Sequence, residues 1–187
     1  MSSIASKPFA LDDFLALPEV RPALEYHGGR LIQKMSPRWK HGIIQPDLTA
    51  CLNAFARPRR LGRAVTELRC TFGGESHVFD IAYFARDRIP TPEEQEAVGG
   101  IPSPPDLAIE ILSPGQTVGE LSRKLRSAVR RGVRLGWLID DRKRAVRVLR
   151  PGGKPVVLRV GDVLDGGDVL PGFTLPVADL FGWLDDN

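Results

Sequence analysis

The fold is decided by the stretch PPDLAIEILSP at residues 104–114, a short apolar segment with prolines at both ends. Side chains of a strand alternate between its two faces. Both faces would be apolar here: Ala108 and Leu112 lie beside Glu110 on one, and Leu107, Ile109 and Ile111 form the other. That pattern is typical of a central strand covered on both sides. We predict such a strand, with an acidic residue inside it.

A second acidic residue has the same setting. In HVFDIAYF at residues 77–84, Asp80 alternates with apolar side chains. Burying an unpaired carboxylate costs on the order of several kcal/mol, whereas a whole domain is stable by only about 5–15 kcal/mol. One interpretation pairs Asp80 and Glu110 with arginines, or places them in water at strand ends. The other brings both onto one hard cation, because carboxylate oxygens are the natural ligands of Mg²⁺.

The rest of the pattern predicts a mixed sheet flanked by helices, because hairpins, strands and helices alternate along the chain. The predicted elements are a helix at 11–17, a hairpin at 24–35 around Gly28-Gly29, a helix within 37–55 that either starts late or kinks at Pro46, strands at 63–72 and 77–84, a polar loop at 86–104, a helix at 117–131 ending before Gly132, and a hairpin formed by 136–140 and 145–150. The apolar, proline-bearing tail is expected to pack along an edge of the domain.

Length and composition fit one globular domain. The chain has 187 residues, of which 42% are hydrophobic and 26% charged, so we expect a single domain over residues 1–187 with loosely ordered residues 1–10. No apolar run is long enough to cross a bilayer, and the N-terminal stretch lacks the apolar core of a signal peptide. Cys51 and Cys70 have no neighbours at metal-ligand spacing, which fits two thiols in a cytoplasmic protein.

Positive charge is concentrated in one region. Eleven Lys or Arg residues lie between Arg123 and Arg150, with only Asp140 and Asp141 among them. A basic strip suits a polyanion, although such strips more often only contact water. Lys124 lies at the border of the apolar stripe of the predicted helix, so it could reach over the sheet or merely extend its stem along the stripe.

Five segments in this order resemble the Uma2 family of restriction endonucleases, a bacterial branch of the PD-(D/E)XK nucleases. They are GGRLIQKMSPRWKHG, VFDIAYF, PPDLAIEILSPG, KLRSAVRRGVRLGWLID and LPGFTLPVADLF, and the resemblance covers residues 11–181. It implies a restriction-endonuclease-like fold and a metal-dependent DNA endonuclease that uses Mg²⁺, with Mn²⁺ as a substitute. DNA would be the partner, and a homodimer is expected because nucleases that cut both strands often dimerise.

The resemblance also assigns the functional residues. The catalytic set is Asp80, Glu110, Lys124 and Glu25, of which Asp80 and Glu110 would hold the metal. Lys124 would replace the lysine that most members of the superfamily carry two residues after the glutamate, where this chain has Leu112. His41 matches a family histidine that has either a DNA-side or a structural role. The predicted nucleic-acid-binding residues are His41, Arg123, Arg126, Arg130 and Arg131.

The chain departs from its relatives around this site. Many relatives have Gln-Pro where this chain has Val78-Phe79, and relatives often carry a tyrosine in place of Ala128 and Glu-Tyr in place of Leu135-Gly136. Two other functions therefore stay open: a catalytically silent nucleic-acid-binding module on the same fold, and a scaffold protein without a nucleic-acid role. The module would hold DNA equally well in EDTA, and the scaffold would show no salt-dependent association with DNA.

Overall fold

Helices and strands make up most of the chain. The structure, a computed structural model, describes residues 9–185. The helices are α1 (Leu11–Leu15), α2 (Trp39–Ala56), α3 (Pro92–Gln95), α4 (Val118–Arg130) and α5 (Val177–Gly182). The strands are β1 (Leu24–His27), β2 (Arg30–Gln33), β3 (Gly62–Phe72), β4 (Glu75–Ala85), β5 (Leu107–Ile111), β6 (Leu135–Asp140), β7 (Ala145–Leu149), β8 (Val156–Arg159), β9 (Val163–Asp165) and β10 (Thr174–Pro176). The expected loose order of residues 1–10 falls mostly on residues 1–8, which lie outside the described residues.

Strand β5 lies in the middle of an eight-stranded mixed sheet. The strand order is β2-β1-β4-β5-β6-β7-β8, and β3 pairs with β4 outside this path. β5 runs parallel to β6 and antiparallel to β4. Every residue of β5 is buried, because other elements cover both faces of the sheet. The prediction of a central strand within residues 104–114 is confirmed.

The two faces of the sheet carry separate apolar cores. On one face, Leu121, Leu125 and Ala128 of α4 pack with Ala82 of β4 and Ala108 of β5. On the opposite face, α2, α5 and the segment that contains β9 and β10 enclose the second core. The predicted α/β class, a mixed sheet flanked by helices, is therefore confirmed. None of the helices within residues 9–185 is long and apolar enough to cross a membrane.

Three segments differ from the sequence-based expectation. The loop predicted at 86–104 contains the short helix α3, which begins at a Thr91 capping box. Helix α2 begins at Trp39 and continues through Pro46, so it does not start late, and the proline removes one backbone hydrogen bond without ending the helix. The tail at 169–181 does not simply follow an edge: Leu170, Phe173 and Phe181 lie fully or almost fully buried in the core on the α2 face. Large apolar side chains are stabilised by burial against a face, and this places the tail there.

Candidate metal-binding active site

An opening along one edge of β4 creates the site. β3 pairs with β4 from Gly62–Ala85 to Phe72–Glu75, except at Glu67 and Asp80. The other edge of β4 is shared by β1, which reaches Ser76, and β5, which reaches Ile81. Between these contacts, the Val78 N–H donates to Glu25 Oε1 at 2.6 Å, and Lys124 Nζ donates to the Val78 carbonyl at 3.1 Å. Side chains therefore replace the missing strand partner at this point.

The two acidic strand residues share one face of the sheet. The β4–β5 register pairs Ala82 with Ala108, so Asp80 and Glu110 occupy nearby opposite positions on the face that α4 covers. Asp80 and Glu110 are each only 2% exposed. Asp80 Oδ2 accepts a hydrogen bond of 2.7 Å from the Ile111 N–H, which fixes the carboxylate beside the end of β5.

Lys124 joins two of the acids. Its Nζ lies 2.6 Å from Glu25 Oε1 and 2.7 Å from Glu110 Oε1, and the lysine side chain is only 9% exposed. Because Lys124 extends from α4 onto the sheet face, the lysine that sequence places at the stripe border reaches the acids. The structure thus brings together all four residues assigned to catalysis, Asp80, Glu110, Lys124 and Glu25, whose roles remain predictions.

A second lysine, which the sequence analysis missed, completes the cluster. Lys34 follows β2, and its Nζ lies 2.7 Å from Asp80 Oδ1 and 2.9 Å from Glu67 Oε2. The buried acids are therefore compensated by two lysines rather than by arginines. Nothing in the segment LIQKMSP marks Lys34, since its partners lie on distant strands.

Burial and charge set the proton affinities of the cluster. Burial, reinforced by the charge of Asp80 and opposed by Lys124, raises the pKa of Glu110 to about 8. Burial also acts to raise the pKa of Glu25, but Lys124 and His27 outweigh it and hold that pKa well below its ordinary value. The pKa of Lys34 is raised because Asp80 and Glu110 overcome the effect of burial. Glu110 is thus the acid that most needs a further cation in order to ionise.

The donor set fits a hard divalent cation. Buried Glu110 Oε1 receives no hydrogen bond of acceptable geometry from residues 9–185, although Lys124 is close to it. Mg²⁺ needs only one or two protein carboxylates and keeps several waters, which Asp80 and Glu110 can satisfy. A cation at Asp80 Oδ1 would have to displace the ammonium of Lys34.

His41 lies beside the cluster of buried acids and lysines. Its Nδ1 lies 3.0 Å from Ser113 Oγ, and its Nε2 lies 3.7 Å from Asp80 Oδ1. His41, Glu67 and Asp80 each offer a ligand atom within 4.8 Å of the others. The imidazole therefore faces the proposed ion as well as the cleft, so either of the roles implied for this histidine fits its position.

The site opens into a cleft with basic walls. The cleft has a volume of about 660 Å³, and its lining includes the exposed residues Arg123, Arg126 and Arg130 of α4. These arginines form no ion pair with acids of residues 9–185. Arg131 differs, because it donates to the Gly73 carbonyl at 2.9 Å and pairs with Glu75 at 3.1 Å. Its predicted contact with nucleic acid competes with these bonds.

Glu110 should give metal-free protein a distinctive pH dependence. A carboxyl whose pKa is higher in the folded than in the unfolded protein contributes stability that is fully present below about pH 4.5 and lost as pH rises through about 8. From pH 5 to 8 in EDTA, the free energy of unfolding should therefore fall by a few kcal/mol more in the parent than in Glu110→Gln, at about 1.4 kcal/mol per pKa unit.

Urea unfolding at several pH values measures this difference. The histidines are present in both proteins, so their effect cancels in the comparison. The pKa of Glu25 is lowered in the folded protein, so its contribution to stability is lost only as pH falls below the ordinary pKa of a glutamate. Glu25 therefore does not contribute to the change between pH 5 and 8. Parallel pH curves for the two proteins would contradict the assignment of a protonated, buried Glu110.

Comparisons with known proteins identify the family and a similar fold. Residues 11–178 match the profile of the Uma2 family, described as "Putative restriction endonuclease". The fold is similar to the crystal structure of a "putative nuclease belonging to DUF820" from Anabaena variabilis ATCC 29413, with 39% sequence identity and a TM-score of 0.88. That similarity covers 95% of this chain and 99% of the other. No curated protein matched the chain.

Proposed function

The chain belongs to the Uma2 family, which is described as "Putative restriction endonuclease", and on this premise we propose that it is a Mg²⁺-dependent DNA endonuclease of the PD-(D/E)XK type. The observation that carries the proposal is the convergence of Asp80, Glu110 and Lys124 at the floor of an arginine-lined cleft. Buried acids of this kind are costly to stability, and a site that binds a cation and a polyanion accounts for that cost.

Each residue has a defined part in this proposal. Asp80 and Glu110 would hold the ion, which when bound supplies a hydroxide at neutral pH and stabilises negative charge on the phosphate. Lys124 places a cation beside Glu110, aimed at charge that develops in the transition state. Glu25 holds Lys124 in that position through its 2.6 Å contact and is itself anchored by the Val78 N–H.

The arginines of α4 provide the binding surface. Arg123, Arg126 and Arg130 project into the cleft from one side of the helix, where they can contact successive phosphates of a DNA backbone. Each phosphate neutralised releases counterions, so affinity should fall steeply with salt. A homodimer that cuts both strands and a location in the cytoplasm remain part of the proposal.

A specific contact favours a second function. Lys34 neutralises Asp80 directly, and the family resemblance implies that Val78-Phe79 and Leu135-Gly136 stand where many relatives have other residues. A chain that satisfies its acids with lysines can keep the fold without a metal. The alternative is therefore a silent nucleic-acid-binding module, in which the same arginines hold DNA without cleavage.

Supercoiled plasmid distinguishes the two functions. The endonuclease should convert it to nicked and linear forms in millimolar Mg²⁺ or Mn²⁺, and it should leave the plasmid intact in EDTA. Gel analysis over a time course measures the conversion, and filter binding in EDTA measures association separately. Salt-sensitive binding that is equal with and without metal, and that is never followed by cleavage, would favour the module.

A further inference from the structure

A second cluster of ligating side chains lies beside the acids. His27 at the end of β1, and Glu75 and His77 at the start of β4, each offer a ligand atom within 4.8 Å of the others. None of the three is assigned a part in the proposed cleavage reaction. Two imidazoles and one carboxylate form a donor set different in kind from the all-carboxylate pair of Asp80 and Glu110.

His77 is the buried member whose ring makes no hydrogen bond. It is 0% exposed, and neither ring nitrogen makes a hydrogen bond to any residue in 9–185. Its Nε2 points towards the cluster, 3.3 Å from Glu75 Oε2, without the alignment of a hydrogen bond. An unsatisfied buried polar group costs about 1–3 kcal/mol. Burial also lowers the pKa of His77, so the ring is neutral and offers a lone pair.

The other two members are held as metal ligands usually are. His27 Nε2 lies 3.2 Å from Glu25 Oε2, which leaves Nδ1 towards the cluster, 3.7 Å from Glu75 Oε2. A ligating histidine commonly bonds a carboxylate through its second nitrogen in this way. Glu75 Oε2 accepts from Ser127 Oγ at 2.9 Å, and each carboxylate oxygen retains a second lone pair for an ion.

We propose that His27, Glu75 and His77 bind one divalent transition-metal ion, Zn²⁺ by preference, at a site separate from Asp80 and Glu110. Imidazole nitrogens suit zinc and its neighbours, whereas Mg²⁺ and Ca²⁺ prefer oxygen. His27 and Glu75 line the cleft, so water can complete a tetrahedral set around three protein ligands.

The ion would also affect the neighbouring acids. His27 bonds Glu25, and Glu25 in turn bonds Lys124, so fixing His27 on an ion orders the contact that positions the lysine. The site itself does not depend on nuclease activity, since its ligands and their supports stand whether or not DNA is cleaved.

Calorimetric titration with Zn²⁺ alone tests the site in four proteins: the parent, Asp80→Asn, His27→Gln and His41→Gln. His41→Gln is the matched control, because that histidine belongs to the neighbouring cluster. We expect His27→Gln to weaken one Zn²⁺ equivalent by at least about 10²-fold, while Asp80→Asn and His41→Gln retain it. Unchanged binding in His27→Gln, or loss of that equivalent in either of the other variants, would overturn the proposal.

A measurement on the parent protein alone covers the case in which a variant does not fold. Co²⁺ bound at this site should give the visible spectrum of a tetrahedral nitrogen and oxygen complex, and excess Mg²⁺ should not displace it. Displacement by Mg²⁺, or a thiolate band indicating Cys51 or Cys70, would place the ion elsewhere and refute the proposal.

Discussion

Asp80→Asn is expected to reduce Mg²⁺-dependent DNA cleavage by about 10³-fold or more, the largest effect of any single substitution in the site. The variant keeps the shape of the side chain but removes one of two charged ligands of the proposed ion, which supplies several kcal/mol of transition-state stabilisation. It also turns an amide dipole towards Lys34, whose Nζ lies 2.7 Å from Asp80 Oδ1. The measurement is single-turnover cleavage at saturating enzyme.

Asp140→Asn is the matched control for this loss. Asp140 is another buried acid of the sheet, but its Oδ1 accepts the backbone N–H groups of Arg142 and Lys143. An asparagine can accept the same two bonds, so cleavage should stay close to the parental rate. Thermal melting of both variants confirms that they are folded. Parental cleavage by folded Asp80→Asn would remove Asp80 from the metal site.

The central acids could be predicted because their signal is local. A strand alternates its faces every residue, so the apolar neighbours of Asp80 and Glu110 showed that each acid enters a core. The position of Lys124 could be predicted for the same reason, since its spacing from the apolar stripe of a helix puts it at the border of the covered face. These positions depend on the periodicity of one element and on little else.

The remaining members depend on contacts between distant segments. Lys34 reaches Asp80 across 46 positions of sequence, and only the packing of the β1–β2 hairpin against β4 brings them together. Glu25 could be predicted only through the family resemblance, because its position depends on the opening between β1 and β5, which no pattern within β1 reveals. The His27, Glu75 and His77 cluster forms across the same junction. Periodicity predicts that a side chain is buried, but it does not identify the residues that contact it.

Lys124→Met is expected to reduce single-turnover cleavage by about 10²-fold or more, the usual scale for losing one donor aimed at transition-state charge. Methionine keeps most of the stem but removes the ammonium that lies within 2.7 Å of both Glu25 and Glu110. Breaking a buried ion pair also costs about 3–5 kcal/mol of stability, so cleavage must be compared below the melting temperature of the variant.

DNA-binding measurements distinguish a catalytic defect of Lys124→Met from weaker binding of DNA. Filter binding in Ca²⁺, which supports association without requiring turnover, should show a much smaller change for Lys124→Met, because Arg123, Arg126 and Arg130 still line the cleft. Arg126→Ala should do the reverse: its affinity falls and its salt dependence flattens by about one phosphate contact, while the single-turnover rate at saturation stays near that of the parent. A parental cleavage rate in Lys124→Met would exclude the lysine from catalysis and leave it as the structural partner of Glu25 and Glu110.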